Sequence, residues 1–278
     1  MRMAYLSICA TFKDEAPYIP EWIEFHRRVG VEHFFLYDNL STDGSREVLE
    51  PWVRAGLVTL SDCSTPFEQG GQSWAYTDAL RRAHGHTRWL AFIDLDEFLF
   101  SPGGAPLPDV LKDYEQHPGP DGLVIESFLT RAMTQWVRNR RVKSIVDPAR
   151  ALRPIGPHFF EYMDGALAVT ENHKPVRAIQ RRAWTRRIRR SLSRLPLIQT
   201  DPYAVRDSSV KHVSVERLRL NHYAVRSQQE FEQKTARHGS SRMAPRYFAY
   251  HDRNEVHDPA LIPYANQVRA RLIAAESP

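Results

Sequence analysis

The apolar run Trp89-Leu90-Ala91-Phe92-Ile93 breaks off without transition into Asp94-Leu95-Asp96-Glu97. A short run that is apolar on every side reads as a strand buried on both faces of a parallel sheet. Carboxylates at its end place charge at the C-terminal edge of that sheet, where open α/β sheets take their ligands. In an extended chain, alternation turns Asp94 and Asp96 to one side and Leu95 back into the core. Two carboxylates facing one crevice repel, and a hard divalent cation such as Mn²⁺ or Mg²⁺, already carrying phosphate oxygens, offsets that repulsion. The plainer alternative is that the acids cap the next element or pair with arginines.

At 278 residues the chain can be one large domain or two small ones, and it is long enough for a substantial core. No apolar run approaches the roughly 20 residues that span a bilayer. Tyr5-Leu6-Ser7-Ile8-Cys9 is followed at once by Lys13, Asp14 and Glu15, the pattern of a first strand and not of a signal peptide. Cys9 and Cys63, both in strand-like segments, read as buried thiols of a reducing compartment. The expected setting is the cytoplasm, with a peripheral position at the inner face of the membrane as an option.

Strands and helices alternate through the first hundred residues. Strand 5–10 leads through a polar turn into a helix over 17–29, with Asp14 placed to cap it and Gly30 to close it. A second strand over 31–37 ends in Asp38-Asn39-Leu40-Ser41, a helix starts at Ser45, and Gly56 precedes a third strand at 57–60. A helix over 73–83 then leads to the acidic strand. This β-α-β-α-β-α-β order implies a parallel sheet with right-handed crossovers. The polar loops 11–15, 38–43 and 94–97 therefore gather at one sheet edge. A nucleotide suits that crevice. Neither G-x-G-x-x-G nor G-x-x-x-x-G-K-S/T occurs, which disfavours a dinucleotide fold or a phosphate-cradling loop. For Asp38 and Asp43, ordinary turn chemistry is the competing explanation.

The ordered blocks "TFKDEAPYIPEWIEFHRRVGVEHFFLYDNLSTDGS", "QSWAYTDALRRAHGHTRWLAFIDLDEF", "VKSIV" and "LRLNHYAVRSQQEFEQK" resemble glycosyltransferase family 92, a branch of the GT-A enzymes related to family 2. The resemblance runs from about Ser7 to Lys234, with a weak middle. It implies a GT-A-like (Rossmann-like) α/β fold, with a mostly parallel sheet flanked by helices. It also implies sugar transfer from a nucleotide donor with a DxD-type metal motif. On that motif fall Asp94 and Asp96, and Asp38 falls on the strand-two acid that holds the nucleoside. Thr11, Glu15, Asn39, Gln72 and Asp94 complete the expected donor-binding set. Asp14 stands where the family more often has Asn.

Beyond residue 100, strands are expected at 123–128 and 143–146. Arg131, Arg138, Arg140, Arg141 and Lys143 lie nearby and are suited either to a diphosphate or to a solvated face. Residues 148–161 are proline-punctuated and end in His158-Phe159-Phe160-Glu161, an irregular loop. Arg177 to Arg194 is strongly basic, with a partial apolar stripe. It reads first as an inserted segment, second as a helix on an anionic membrane surface, and last as a nucleic-acid contact. Leu218 and Leu220 suggest a strand ending at His222, before a helix whose start carries the Ser227/Glu230 capping spacing. A strand-end histidine and the resemblance together make His222 a third metal ligand beside Asp94 and Asp96, with a structural histidine as the alternative. A final helix is expected over 263–275.

The sequence thus points to one GT-A-like domain. Residues 1–100 form its nucleotide-sugar half and 101–238 its acceptor half, with a basic insertion near 165–210, and 239–278 form a short helical tail. The expected reaction is metal-dependent transfer from a nucleotide sugar, with a UDP-sugar as the expected donor, to a glycan or glycolipid hydroxyl. The resemblance favours inversion. Glu126, Glu161 and Asp164 are the candidate bases. Two rivals are a nucleotidyltransferase acting on sugar phosphates, which should carry a glycine-rich basic first loop, and a non-catalytic membrane or nucleic-acid module. The second rival leaves the crevice acids without a purpose.

Overall fold

The computed structural model describes residues 3–116, 122–132, 135–154, 160–162, 168–170, 215–223, 229–232, 248, 256–257 and 259–276. Asp164 and the basic stretch 177–194 lie outside them. So does Ser227, although 229–232 are helical.

The first half follows the alternating pattern. Strands β1 (Ala4–Phe12), β2 (His33–Asp38), β3 (Val58–Asp62) and β4 (Thr87–Phe92) are separated by helices α1 (Ile19–Arg28), α2 (Ser45–Arg54) and α3 (Gly71–Ala83). Their order in space is β3-β2-β1-β4, all parallel. Alternate residues of β1 feed two cores. Leu6, Ile8, Ala10 and Phe12 pack with α1, α2 and the later helices, while Cys9 packs with Tyr76, Ala79 and Ala83 of α3. That two-sided burial is why these strands read as nearly continuous apolar runs.

After β4 the chain turns and forms β5 (Glu97–Phe100), then α4 (Leu107–Tyr114), β6 (Gly122–Ala132) and β7 (Gln135–Val146). The short strands β8 (Ala151–Pro154), β9 (Phe160–Tyr162) and β10 (Ala168–Thr170) come next. They are followed by β11 (Arg219–His222), β12 (Val256–His257) and the C-terminal helix α5 (Ile262–Glu276). The sheet continues from β4 as β7-β6-β11-β5, where β7 runs antiparallel to both β4 and β6, and β11 runs parallel to β6 but antiparallel to β5. The segment expected to be an irregular loop at 148–161 contains a separate two-stranded pairing, β8 with β9. Phe160 of β9 packs on Phe92 and Tyr76 beneath α3. No helix among the described residues is long and apolar enough to cross a membrane.

Helix α1 starts two residues later than expected, and Asp14 does not cap it: the N-cap is Tyr18, with Pro20 in the first turn. Asp14 has φ 54°, a left-handed conformation, which aims its carboxylate across to the loop after β2. Cys9 and Cys63 are both buried free thiols, as the sequence suggested.

Candidate active site: an acidic turn and two interlaced loops

The loops after β1 and β2 are tied into one unit. Asp14 Oδ1 accepts from the Thr42 backbone N–H at 2.6 Å, and Ser41 Oγ accepts from the Asp14 N–H. Asp43 Oδ2 accepts from the Ala16 N–H and Ser45 Oγ from the Glu15 N–H. Four hydrogen bonds thus close two polar loops on each other, satisfying backbone donors that would otherwise face the crevice. Asp38, at the end of β2, accepts from the Ser41 N–H and from Arg46, whose guanidinium also reaches Asp62 at the end of β3. The buried Asn39 amide donates to the carbonyls of Cys63 and Thr65, joining the loops after β2 and β3. Thr11, Glu15, Asp38 and Asn39, expected to hold a nucleotide, therefore share one sheet edge. The hydrogen bonds found for Glu15, Asp38 and Asn39 brace the loops.

The acids after β4 are not extended. Glu97 N–H donates to the Asp94 carbonyl at 3.0 Å, closing a turn, and Glu97 Oε2 accepts from the Asp94 N–H at 2.8 Å. The turn is held from outside by the Trp22 indole N–H on the Glu97 carbonyl and by the Tyr223 N–H on the Asp96 carbonyl. This corrects the expectation that Asp94 and Asp96 face the same way by strand alternation. A turn separates them, and each meets a different partner.

Asp94 faces the sheet. Its Oδ2 lies 2.6 Å from Lys143 Nζ, and its Oδ1 accepts from Gln72 Nε2 at 3.2 Å. Lys143 sits one residue beyond the last β4–β7 pairing, Phe92 with Ser144, so it is level with the point where β4 gives way to the turn. Only 3% exposed, it also reaches Glu97 Oε2 at 3.2 Å. Burial alone would favour a neutral lysine, but Asp94 and Glu97 outweigh it and hold the ammonium well above the usual lysine value. Burial likewise pushes the Glu97 carboxyl up to about 7, against the pull of Lys143.

Asp96 faces β11 instead. His222 pairs in register with Glu97, which puts its ring on the same face as the turn. Its Nε2 is 3.5 Å from Asp96 Oδ2 and its Nδ1 is 3.8 Å from Glu97 Oε1. Burial opposes protonation of His222, but Asp96 above all, with Glu97 and Asp94, raises its pKa. A carboxylate oxygen and an imidazole nitrogen are donors of the kind a hard or borderline divalent cation takes, while among the described residues no group of three or more His, Cys, Asp or Glu side chains is placed to hold one. The predicted ligands Asp96 and His222 thus come together. Asp94 stands beside them, engaged by Lys143 and Gln72.

The candidate bases fall in different places. Glu126 lies on β6 opposite Val142, one position from the Ile125–Lys143 pair. Glu161, on β9, is ion-paired with Arg153 Nε at 2.6 Å. Sequence reasoning missed the roles of Lys143 and Glu97. The one available signal is a lysine inside the apolar run Val142 to Val146.

The model of glycosyltransferase family 92 matches residues 4–249. The chain belongs to glycosyltransferase family 92. It is 34% identical over 113 residues to a family 92 protein of Oryza sativa subsp. japonica, covering 41% of this chain and 19% of that one. It is 33% identical over 106 residues to the galactan β-1,4-galactosyltransferase GALS2 of Arabidopsis thaliana, covering 36% and 20%. The chain therefore spans about a fifth of the length of these family 92 relatives. Among solved structures, S. aureus TarS (residues 1–349) with UDP aligns at TM-score 0.41 and 17% identity, over 52% of this chain and 47% of that one. Glucosyl-3-phosphoglycerate synthase of Mycobacterium tuberculosis, with Mn²⁺ and UDP, aligns at 0.34 and 16%, over 52% and 57%. In this family 92 chain the sheet is mostly parallel and flanked by helices, as expected, running parallel through β3-β2-β1-β4 and mixed beyond.

Proposed function

We propose that this family 92 chain is a metal-dependent glycosyltransferase using a nucleotide-sugar donor, with a UDP-sugar the first to test. The observation that carries the reading is the acidic turn at the end of β4, which sets Asp96 against His222 at a sheet edge bordered by polar loops. Asp96 and His222 would hold Mn²⁺ or Mg²⁺. When bound, such an ion stabilises the charge that develops on a departing nucleoside diphosphate.

The chain's own groups do the rest. The braced loops 11–18 and 38–45 present a fixed edge for base and ribose, so little ordering is left to be done on binding. Gln72 and Lys143 fix the rotamer of Asp94 by each holding one of its carboxylate oxygens. An acceptor hydroxyl must lose its proton to a carboxylate as it attacks the anomeric carbon. Glu126, Glu161 and Asp164 are the candidates for that base, and inversion is the expected outcome. A glycan or glycolipid hydroxyl is the expected acceptor. The galactan β-1,4-galactosyltransferases among the relatives make galactose the first sugar to try.

The test is a screen of nucleotide sugars for hydrolysis and transfer with Mn²⁺, with Mg²⁺ and with chelator. The expected result is turnover of a UDP-hexose that stops in chelator. In His222→Ala, half-maximal activity should need several-fold more Mn²⁺. No turnover of any nucleotide sugar would contradict the reading, and turnover indifferent to chelator would remove its metal part.

A further inference from the structure

Lys143 places a permanent positive charge in the wall of the proposed cation site. Its Nζ is 2.6 Å from Asp94 Oδ2 and 3.2 Å from Glu97 Oε2, and its side chain is 4% exposed. The turn carries three carboxylates in four residues, at positions 94, 96 and 97. Two of them face the lysine and the third faces His222. Tyr76 and Gln72 close the same pocket from α3. Three clustered carboxylates with no fixed counter-charge would repel one another until a cation arrived. An ammonium with three donors can serve two carboxylates at once, and Lys143 does so.

The same charge acts on an incoming metal. A bare divalent ion held by Asp96 and His222 would share the turn with the Lys143 ammonium, since Glu97 lies against both Lys143 and His222, and would be repelled by it in surroundings that screen poorly. A nucleoside diphosphate reverses the balance, because its negative charge is attracted by ion and lysine alike. We propose that Lys143 is a positioning residue that keeps the acidic turn assembled without metal and makes divalent-cation binding conditional on the donor's phosphates. The inference rests on the metal reading of Asp96 and His222.

Lys143→Met keeps length and apolar bulk and removes the charge. Mn²⁺ alone, and then Mn²⁺ with UDP, is titrated calorimetrically into the wild type, Lys143→Met and Lys143→Arg. Melting is followed in chelator and in Mn²⁺. The wild type should bind Mn²⁺ weakly alone and well with UDP, and should melt alike in both media. Lys143→Met should bind Mn²⁺ alone at least tenfold more tightly than wild type. It should also melt lower in chelator and recover in Mn²⁺. Lys143→Arg should behave like wild type.

A residue that only packs would lower melting in both media and gain no affinity. A folded Lys143→Met with no gain in affinity overturns the inference, as does one that stays unfolded at every Mn²⁺ concentration. Wild type that takes no Mn²⁺ even with UDP overturns the metal reading and the inference together. Wild type that does take it, with Lys143→Met gaining nothing, overturns the inference alone.

Discussion

Asp14 holds a φ of 54° while its carboxylate accepts the Thr42 N–H, so two demands meet at one position. Asn and Asp tolerate the left-handed region because their short polar chains bond locally, whereas β-branched residues do not. Asp14→Asn should therefore leave the melting temperature within a degree or two of wild type. Asp14→Val should cost on the order of 2 kcal/mol in chemical denaturation, losing the bond and straining the backbone. His26 carries a second residue-level consequence. It is fully buried, with Nδ1 donating to the Trp22 carbonyl at 2.8 Å and Nε2 accepting from the Leu99 N–H at 3.2 Å. Both nitrogens are thereby committed to the neutral ring, and burial lowers its pKa to about 3. The unfolded chain, with an ordinary value near 6.5, binds the proton first, so stability is full above about pH 6.5 and is lost as pH falls toward 3. Between pH 7 and 5 this one residue should account for about 2 kcal/mol of lost stability. Comparing urea midpoints at the two pH values in wild type and His26→Gln tests it: the variant should be weaker at pH 7 but lose less on acidification. An equal loss in both would contradict the assignment. In sequence, His26 reads only as one of the apolar-face residues of a helix, because its partner Leu99 is 73 positions away.

At the scale of elements, alternation of apolar runs with helical periodicity is local information, and it yields β1 to β4 and α1 to α3 with ends shifted by at most two residues. What it does not yield is β5. Glu97 to Phe100 follow the acids directly, and nothing local distinguishes an extension of β4 from a turn into a strand at the opposite end of the sheet. That long-range choice also decides that Asp94 meets Lys143, 49 residues on, while Asp96 meets His222. The acids and His222 are therefore legible as candidates and their grouping is not. The docking of α5 is another long-range event. Glu24 of α1, 7% exposed, accepts from Arg271 of α5 at 2.7 Å, from Arg27 at 2.7 Å and from the Trp52 indole of α2 at 3.3 Å. Arg271→Ala removes the partner that ties in the tail, but Arg271 is itself well exposed and Arg27 remains. The expected cost is thus only about 1 kcal/mol. Hydrogen exchange should show faster exchange in α5 with α1 unchanged. Equal protection of α5 in variant and wild type would show that its other contacts, through Leu261, Val268, Tyr264 with Ser101 and Gln267 with Arg28, hold the helix without this ion pair.

For the whole molecule, the family 92 match runs across residues 4–249, and at one edge of its sheet braced loops meet a turn of carboxylates. The net charge of +5 is compatible with an anionic donor or an anionic surface, but charge alone does not choose between them. The central claim depends on the acidic turn, where Asp96 and His222 form a pair. Calorimetry of UDP binding in excess Mn²⁺, in wild type and in Asp96→Asn, tests that claim most directly, with a melt of each protein as the control for folding. Asn keeps the shape of the side chain and removes the charge that a cation needs. The account predicts that folded Asp96→Asn binds UDP with Mn²⁺ at least tenfold more weakly than wild type, and that the two proteins bind UDP equally in chelator. A folded Asp96→Asn whose affinity for UDP with Mn²⁺ equals that of wild type would contradict it.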